Sequence, residues 1–517
     1  MKTKIILILI FLISFFLRAY KITNNPPLLW DEAALGYNAY SILETGKDEY
    51  GKSFPLIFKS FGDYKPGLYV YLAIPFVKIF GLNELSVRLP SIMLGSLIPI
   101  LIYLLIISFD KNKYKLAMIA AWITCFNPYN IHYSRGSWET NIITFEIILL
   151  CLLFLKKKYL ASAVVLGLSL YTYQSGKLVG LLIISILFII KKFEVLKPKF
   201  VIPIFILALP IAFGLLFSKD TNRLKVVSLF SYPRSAEEKQ IIIAESSQTN
   251  YQIFHNQATF FTRNVLLRYF NHLSPEFLAI KGDWQNPRHS APYTGVILYP
   301  SLIFLIIGLF MAKYKEPINL FFLLILLLAP IPAALTRDTI QATRSMWMSI
   351  GLVYFIGVGI EYIIIKYKST FLNIFIIGLY LLSFIYYADL YLNHMVKTHS
   401  PDWLDGYKSA TNYLIENQNK YQKIYMTNFY GQPYIYYLFY SKYSPSTYQK
   451  SASLTTNSID TGTIDKINKI IFTSTNFNDV TNNQSVLAVF SYDEVVRQNL
   501  DFKLFKKFGN FYIYEKP

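Results

Sequence analysis

Long apolar runs separated by short polar connections fill the first three-quarters of the chain. About eleven of them approach the ~20 residues that a helix needs to cross the ~30 Å hydrocarbon core of a bilayer. The pattern therefore predicts a polytopic α-helical membrane protein. The runs are 5–20, 86–108, 116–132, 140–155, 159–175, 178–191, 200–218, 294–312, 318–335, 345–365 and 370–388.

Lysine-rich connections predict the orientation of these helices. If the apolar segment 68–82 lies along the membrane surface, every lysine tract falls on the N-terminal, cytoplasmic side, as the positive-inside rule requires. The N-terminus resembles a signal peptide, but Arg18-Ala19-Tyr20-Lys21 offers no cleavage site, so we expect a retained first span. The tracts are 2–4, 111–115, 156–158, 191–199, 313–315 and 366–368.

The remaining polar regions are expected on the outer face. They are the loops 21–85 and 219–293, the turns near 133–139 and 336–344, and the tail from about 390 onward. A helical pattern opens the tail, and its strand-like segments are Lys423–Thr427, Lys469–Thr473, Ser485–Phe490 and Phe508–Tyr514. We therefore expect a transmembrane module at 1–390 and a small extracytoplasmic α/β domain at 391–517.

Composition supports a membrane protein. Of 517 residues 54% are hydrophobic and 16% charged, which excludes an ordinary soluble enzyme. The formal charge of +19 comes from short tracts beside apolar runs, with no long basic arm, so nucleic-acid binding is not expected. Cys125 and Cys151 both lie in apolar runs and indicate neither a disulfide framework nor a zinc site.

An acidic pair, Asp31 and Glu32, opens an amphipathic segment that ends at Gly46 in the first outer loop. Asp31 could cap this helix, with Glu32 favoured by the positive end of the helix dipole. Alternatively, a carboxylate here could be the general base that deprotonates an acceptor hydroxyl. Farther along the loop, Tyr64 and Lys65 precede Pro66-Gly67, where the lysine could hold a phosphate or merely extend toward water.

Charged groups recur in the other outer segments. The second turn adds Arg135 and Glu139, and Glu146 follows two turns inside an apolar run, without an evident partner. Cations repeated at one membrane face suit a lipid-linked phosphate, although each one alone is more often a surface charge. The further candidates are Lys177, Arg288, His289 and Arg344.

Together these motifs resemble the C-type membrane glycosyltransferases of family 39, which includes protein O-mannosyltransferases and lipid A aminoarabinose transferases. The resemblance covers roughly residues 1–390. It rests on Trp30-Asp31-Glu32, on Lys65-Pro66-Gly67-Leu68, and on two stretches farther on. Those stretches are Phe80–Pro90 and Tyr133-Ser134-Arg135 through Glu139. Gly67 replaces a usual proline, and Gln341 stands where bacterial relatives have histidine.

The resemblance implies transfer of a sugar from a polyprenyl-phosphate donor, with inversion at the anomeric carbon. It makes Asp31 the expected base, with Glu32 and Glu139 as further catalytic candidates, and Lys65, Arg135, Arg288 and Arg344 as phosphate ligands. Some relatives use a divalent metal, for which Asp31 and Glu139 could bind Mg²⁺ or Mn²⁺. The acceptor could be a protein, lipid or glycan.

Two other functions fit a basic polytopic chain. A transporter or flippase of lipid-linked glycans would show repeated halves and ionisable groups at the midplane, whereas here the polar motifs gather at one face. A membrane anchor that displays the tail as a binding module would leave the outer-loop motifs without a role. The glycosyltransferase is therefore the preferred hypothesis.

Overall fold

The computed structural model describes residues 2–217, 256–451 and 462–517, with the short pieces 240, 243–244, 253–254 and 455–456. Most of the predicted outer loop 219–293 before residue 256 lies outside the described residues. The chain forms two compact units, each assembled from separate segments. Unit 1 comprises Met1–Ser14, Gly95–Tyr133 and Thr140–Leu390, and unit 2 comprises Phe15–Leu94, Ser134–Glu139 and Tyr391–Pro517.

Most of the apolar runs form helices. Through residue 389 the described α-helices are α1 (Lys2–Ala19), α2 (Trp30–Thr45), α3 (Leu68–Phe80), α4 (Glu84–Phe109), α5 (Tyr114–Phe126), α6 (Pro128–Ser134), α7 (Glu139–Leu155), α8 (Tyr159–Ser169), α9 (Gly176–Lys191), α10 (Pro198–Phe217), α11 (Gln257–Leu273), α12 (Tyr299–Met311), α13 (Pro317–Leu328), α14 (Ile331–Ala334), α15 (Ala342–Ser345), α16 (Ser349–Tyr367) and α17 (Thr370–Asp389).

Fewer of these helices are long enough to cross a bilayer than the sequence suggests. Among the described residues four meet the length and composition requirements, and a fifth is possible if the pair Pro128–Ser134 and Glu139–Leu155, bent by 119°, is one span. The four are Glu84–Phe109, Pro317–Ala334, Ala342–Tyr367 and Thr370–Thr398. Shorter helices arise where the chain breaks: Pro128 forces Asn127 to an extended ψ of 126°, so the expected span 116–132 divides there.

Close helix packing in unit 1 depends on glycine. A Cβ on Gly308 of α12 would lie 1.8 Å from the Phe355 carbonyl oxygen of α16, and one on Gly359 would lie 2.0 Å from the Phe304 carbonyl oxygen. Small residues let two helix backbones approach this closely in a membrane protein. The apolar span also contains Glu146, for which the sequence offered no partner; the Thr172 hydroxyl donates to its carboxylate at 2.9 Å.

Unit 2 places α2 and α3 beside a two-stranded hairpin, β1 (Ile57–Ser60) and β2 (Asp63–Pro66). Its tight turn uses Phe61 and Gly62, both with positive φ. The Gly462 N–H donates to the Phe61 carbonyl at 2.6 Å, which joins the hairpin to the tail segment of the same unit.

The tail is a mixed α/β fold, as its sequence pattern predicts. Six strands lie in the order β6-β7-β3-β8-β10-β9, and β3 runs parallel to both β7 and β8. The other pairs in this sheet are antiparallel. The strands are β3 (Lys423–Met426), β4 (Thr455–Thr456), β5 (Gly462–Thr463), β6 (Lys466–Ile467), β7 (Ile470–Phe472), β8 (Val486–Ser491), β9 (Lys506–Phe508) and β10 (Phe511–Lys516).

Short helices precede and connect these strands. They are α18 (Met395–Thr398), α19 (Tyr407–Asn417), α20 (Pro433–Ser441), α21 (Pro445–Ser451), α22 (Phe477–Thr481) and α23 (Tyr492–Arg497). α20 packs on α2 within unit 2: the Tyr436 hydroxyl donates to the Leu28 carbonyl at 2.9 Å, just before α2 begins. The aromatic run 434–440 therefore belongs to a packed interface, since Tyr434, Tyr436 and Tyr437 are buried.

Candidate active site

A narrow cleft in unit 2 collects several polar side chains. Asp31 and Asn38 come from α2, Ser60 and Lys65 from the hairpin, and Glu139 from the start of α7. The apolar part of the wall is Ala34, Leu35, Phe58, Pro66 and Val70. Three separate segments thus bring two carboxylates and one ammonium group to the same small space.

Asp31 and Lys65 form an ion pair in this cleft. The Asp31 side chain is 51% exposed, whereas that of Lys65 is 21% exposed, so the aspartate is the more accessible partner. Burial alone would lower the pKa of Lys65, but the charge and hydrogen bond of Asp31, together with Glu139, outweigh burial and raise the pKa above its usual value. Lys65 therefore remains a permanent cation.

Glu32 faces away from solvent, unlike its neighbour. Its carboxylate accepts hydrogen bonds from Arg88 Nε at 2.9 Å and Arg88 Nη2 at 2.5 Å, and from the Ser137 N–H at 2.7 Å. The Leu29 N–H also donates to it, at 3.1 Å. Glu32 thus joins α2, α4 and the 134–139 turn, and its oxygens have these partners in place of a substrate.

Arg88 is a buried residue of the site region that the sequence analysis did not select. Its guanidinium donates to the carbonyls of Ile22, Pro26 and Pro27 at 2.7, 2.9 and 3.0 Å, in addition to Glu32. A charged residue at the start of an apolar helix requires a partner, and the acidic pair is the sequence signal that could have identified it.

Arg135, one of the expected phosphate ligands, has a similar supporting position. It is buried, and its guanidinium donates to the carbonyls of Leu17, Arg18 and Asn25 at 2.8, 3.2 and 2.8 Å. It also lies over the Tyr391 ring, 5.2 Å from the centroid. These contacts hold the segment before α2. Tyr64, on β2 beside Lys65, is exposed.

Asn38 connects the cleft to a buried acid, Glu49. Its amide donates to Glu49 Oε1 at 3.1 Å, and its Oδ1 accepts from the Glu49 N–H at 3.0 Å. Burial raises the pKa of Glu49 to about 8, with Asp48 raising it further and the Asn38 hydrogen bond opposing the shift. Near neutral pH, Glu49 is mainly a neutral carboxylic acid.

The other expected ligands lie in unit 1. His289 pairs with buried Asp283 at 2.9 Å, and the Ala342 N–H donates to the same carboxylate at 2.9 Å. Burial would raise the pKa of Asp283, but hydrogen bonds from His289, Ala342 and Asn286 hold it below its usual value.

Arg344, on α15, lies 3.7 Å from Asp338. The Arg288 carbonyl contacts His132 Nε2 at 2.9 Å, and Lys177 at the start of α9 donates to Gln174 at 3.5 Å. The structure therefore divides the selected residues between the two units: Asp31, Glu32, Tyr64, Lys65, Arg135 and Glu139 in unit 2, and Lys177, Arg288, His289 and Arg344 in unit 1.

The segment that supplies the cleft matches a known family. Residues 8–212 fit the family described as dolichyl-phosphate-mannose-protein mannosyltransferase. This segment is therefore a domain similar to that glycosyltransferase family. The domain contains Asp31, Lys65 and Glu139, the charged residues of the cleft. No curated protein matches the chain significantly.

Two solved structures share the fold of this protein. ArnT from Cupriavidus metallidurans bound to undecaprenyl phosphate has a TM-score of 0.52 and 9% identity, over 99% of this chain and 97% of that one. Its apo form has a TM-score of 0.51 and 10% identity, with the same coverage. The protein is therefore a multi-pass, mainly helical membrane protein with a mixed sheet near its C-terminus.

Asp31 and Glu139 are the two carboxylates of the cleft that could hold a divalent metal. Among the described residues no three His, Cys, Asp or Glu side chains converge as metal ligands. The third charged group in the cleft is the Lys65 ammonium, which would repel a dication. We therefore derive no step through Mg²⁺ or Mn²⁺.

Proposed function

We propose that the protein transfers a sugar, with inversion, from a polyprenyl-phosphate donor to a hydroxyl group of a protein, lipid or glycan acceptor. The observation that carries the proposal is the Asp31–Lys65 pair on a cleft of the glycosyltransferase-family domain. The bound undecaprenyl phosphate of ArnT, which shares the fold, supports a donor of this class.

The proposed chemistry uses two groups with opposite charge. Asp31 takes the proton of the acceptor hydroxyl as its oxygen attacks the anomeric carbon, and the bond from that carbon to the phosphate oxygen breaks. The electron pair leaves with the lipid phosphate, which Lys65 stabilises as an ammonium. Donor binding must therefore draw Lys65 away from Asp31, so that the carboxylate becomes free to act as the base.

The remaining expected residues have supporting positions in this proposal. Glu139 lies in the same cleft and can orient the acceptor or the sugar. Glu32 and Arg135 hold the backbone around Asp31 through buried hydrogen bonds, which makes them positioning residues. Tyr64, Lys177, Arg288, His289 and Arg344 stay proposed ligands of the donor.

The membrane arrangement belongs to the same proposal. About eleven crossings, including helices shorter than ~20 residues, would place the N-terminus in the cytoplasm and the site outside. The lysine tracts support this orientation. In functional terms we divide the chain at about 390, with 1–390 as the membrane module and 391–517 as an extracytoplasmic domain that helps to select the acceptor.

An assay of sugar transfer by the purified protein tests whether Asp31 is the general base. Radiolabelled polyprenyl-phosphate sugars are supplied with total membrane acceptors, and wild type is compared with Asp31→Asn. We expect transfer to fall by ~10²–10⁴-fold, the usual contribution of a general base, while donor binding is retained. Glu44→Gln, an exposed carboxylate change on the same helix, is the matched control.

Each outcome has a defined meaning. Undiminished transfer by Asp31→Asn would remove Asp31 as the base and direct attention to Glu139. Movement of the lipid-linked sugar across vesicles without any transfer would replace the enzyme with a flippase. An equal loss in Glu44→Gln would attribute the effect to folding.

A further inference from the structure

A half-open cavity lies in unit 1. Its volume is about 550 Å³ between α5, α12, α16 and α17, a size typical of ligand sites. Its wall is mostly aliphatic and aromatic: Ile119, Trp122, Ile123, Phe126, Leu298, Ile360, Ile364, Ile376, Ile377, Tyr380, Leu381 and Phe384, with Asn127, Ser301 and Asn373 as its amide and hydroxyl members.

The cavity exists because α17 packs loosely. Of its twenty residues only Ile376 and Tyr387 are buried. Contacts near its C-terminal half fix it to the bundle: Tyr380 stacks on Phe304 with centroids 6.0 Å apart, and Phe384 meets Phe126 at 4.9 Å. The N-terminal half contributes Asn373, Ile376 and Ile377 to a wall that no described side chain fills.

One end of the cavity is basic. Ile364 and Asn373 line it on either side of the junction of α16 with α17, near exposed Lys366 in the last turn of α16 and exposed Lys368 just after it. The Lys366 ammonium lies over the Tyr362 and Tyr367 rings, 5.5 and 5.3 Å from their centroids. Neither lysine forms an ion pair with any described residue. Lys115, also exposed, stands one turn before Ile119 on α5, and Glu361 of α16 is its acidic neighbour at this end.

A hydrogen-bond acceptor lies at the same end. The Asn373 Oδ1 atom is buried and receives no hydrogen bond from the described part of the chain. An apolar cavity of this size, with cations and an unused acceptor at one mouth, matches a molecule with a long hydrocarbon chain and an anionic, hydroxyl-bearing head.

We propose that this cavity binds one acyl chain of an anionic phospholipid, with the head group at Lys366 and Lys368. From Asn373 to Phe384 the wall extends about 16 Å at ~1.5 Å per residue, which suits much of one acyl chain. A polyprenyl chain is far longer than the cavity. Phosphatidylglycerol fits best, because its phosphate meets the lysines and its glycerol hydroxyls can donate to Asn373. The inference does not depend on the proposed sugar transfer.

Trp122 in the wall provides a direct probe. Full-length protein in detergent is titrated with phosphatidylglycerol or phosphatidylcholine brominated on the acyl chains, and tryptophan fluorescence is recorded. We expect phosphatidylglycerol to quench the fluorescence at a lipid concentration at least tenfold lower than phosphatidylcholine requires. This quenching should be lost in Trp122→Phe. Native mass spectrometry should show one retained phospholipid per chain.

Two sets of variants separate the chain site from the head-group site. Ile377→Phe with Leu381→Phe fills the cavity and should reduce lipid retention at least tenfold. Lys366→Gln with Lys368→Gln should make the two lipids equivalent, whereas Lys313→Gln with Lys315→Gln, a second basic tract, should keep the preference.

Several results would overturn the proposal. They are no retained lipid in wild type, undiminished retention in the filled variant, a retained polyprenyl phosphate, or a dimer that covers α17. The lysine variants change only exposed residues, so they test the site even if the filled variant fails to fold.

Discussion

Asp31 and Glu32 are adjacent carboxylates with opposite environments. Asp31 is half-exposed beside Lys65, while Glu32 is buried between Arg88 and the Ser137 N–H. Successive helix residues point about 100° apart, so one can face the cleft while the other faces the protein. The acidic pair therefore combines a reactive group with the contact that holds it in place.

Replacing Lys65 should impair the departure of the lipid phosphate. We expect Lys65→Gln to lower kcat by ~10²–10³-fold, as removal of one stabilising donor does at other sites of developing negative charge. The loss should appear mainly in kcat, because Lys65 acts on the charge that develops as the phosphate leaves. Transfer from a pyrophosphate-linked donor, which has a better leaving group, should fall less. Steady-state transfer kinetics with both donors would measure this difference.

Lys59→Gln is the control for that measurement. Lys59 lies on the other strand of the same hairpin, over the Tyr50 ring, and does not line the cleft. If both variants lose transfer equally, the loss reflects the hairpin and not the phosphate contact.

Glu49 should make stability depend on pH. Its folded pKa of about 8 lies above the 4.5 of a glutamate in an unfolded chain, so protonation favours the folded state. The contribution is complete below pH ~4.5 and is lost as pH rises through about 8, with a total on the order of a few kcal/mol. Glu49→Gln should flatten the thermal stability curve between these limits, and Glu44→Gln should leave it unchanged. An equally steep curve in Glu49→Gln would assign the dependence to other groups.

Sequence identified the charged residues of the cleft but not their partners. Asp31, Lys65 and Glu139 could be selected because they lie in charged motifs of the predicted outer loops that match the family's pattern. Pairing of Glu32 with Arg88 depends on a contact between α2 and α4, and pairing of Asn38 with Glu49 depends on the turn after α2; periodicity supplies neither. Whether the selected cations of unit 1 bind the donor stays a prediction.

At the scale of helices, the approach of α12 and α16 should tolerate no side chain at Gly308. Gly308→Ala would place a Cβ 1.8 Å from the Phe355 carbonyl oxygen, so the helices must separate. Overpacking of this kind costs ~1–3 kcal/mol or more. We expect a clear fall in the thermal unfolding temperature in detergent.

Gly378 on α17 supplies the comparison. A Cβ there meets nothing within 4 Å, and alanine is the better helix former by up to ~1 kcal/mol. Gly378→Ala should therefore leave stability unchanged or raise it. Equal destabilisation by the two changes would contradict the close-packing argument.

The bounds of the tail elements show which of them the sequence pattern predicts and which it does not. The strands at 423 and 470 follow from β-branched and aromatic runs, and the structure has them within one residue. The expected single strand Phe508–Tyr514 is instead two strands around Gly509, whose φ of 57° permits the turn. Helix α20 was missed as an element, because its aromatic run is buried on all sides and shows no amphipathic period.

At the scale of the whole molecule, the orientation in the membrane can be measured with thiol labelling. Cys125 and Cys151 are free and fully buried, so they should react slowly. In intact cells a membrane-impermeant maleimide should label Lys503→Cys in the tail but not Asn112→Cys between the lysines of the second tract. Labelling of Asn112→Cys alone would reverse the proposed orientation, and both changes lie at exposed positions.

The division of unit 2 among distant segments has a consequence for synthesis. The ribosome delivers 15–94 about 300 residues before 391–517, although these segments form one compact unit. At ~5–20 residues per second the earlier segment waits roughly 15–60 s for its packing partner. During that interval Leu28 and the hairpin tip lack the Tyr436 and Gly462 contacts of the finished fold. Nascent chains should therefore pass through a stage in which proteases or chaperones can reach the incomplete cleft.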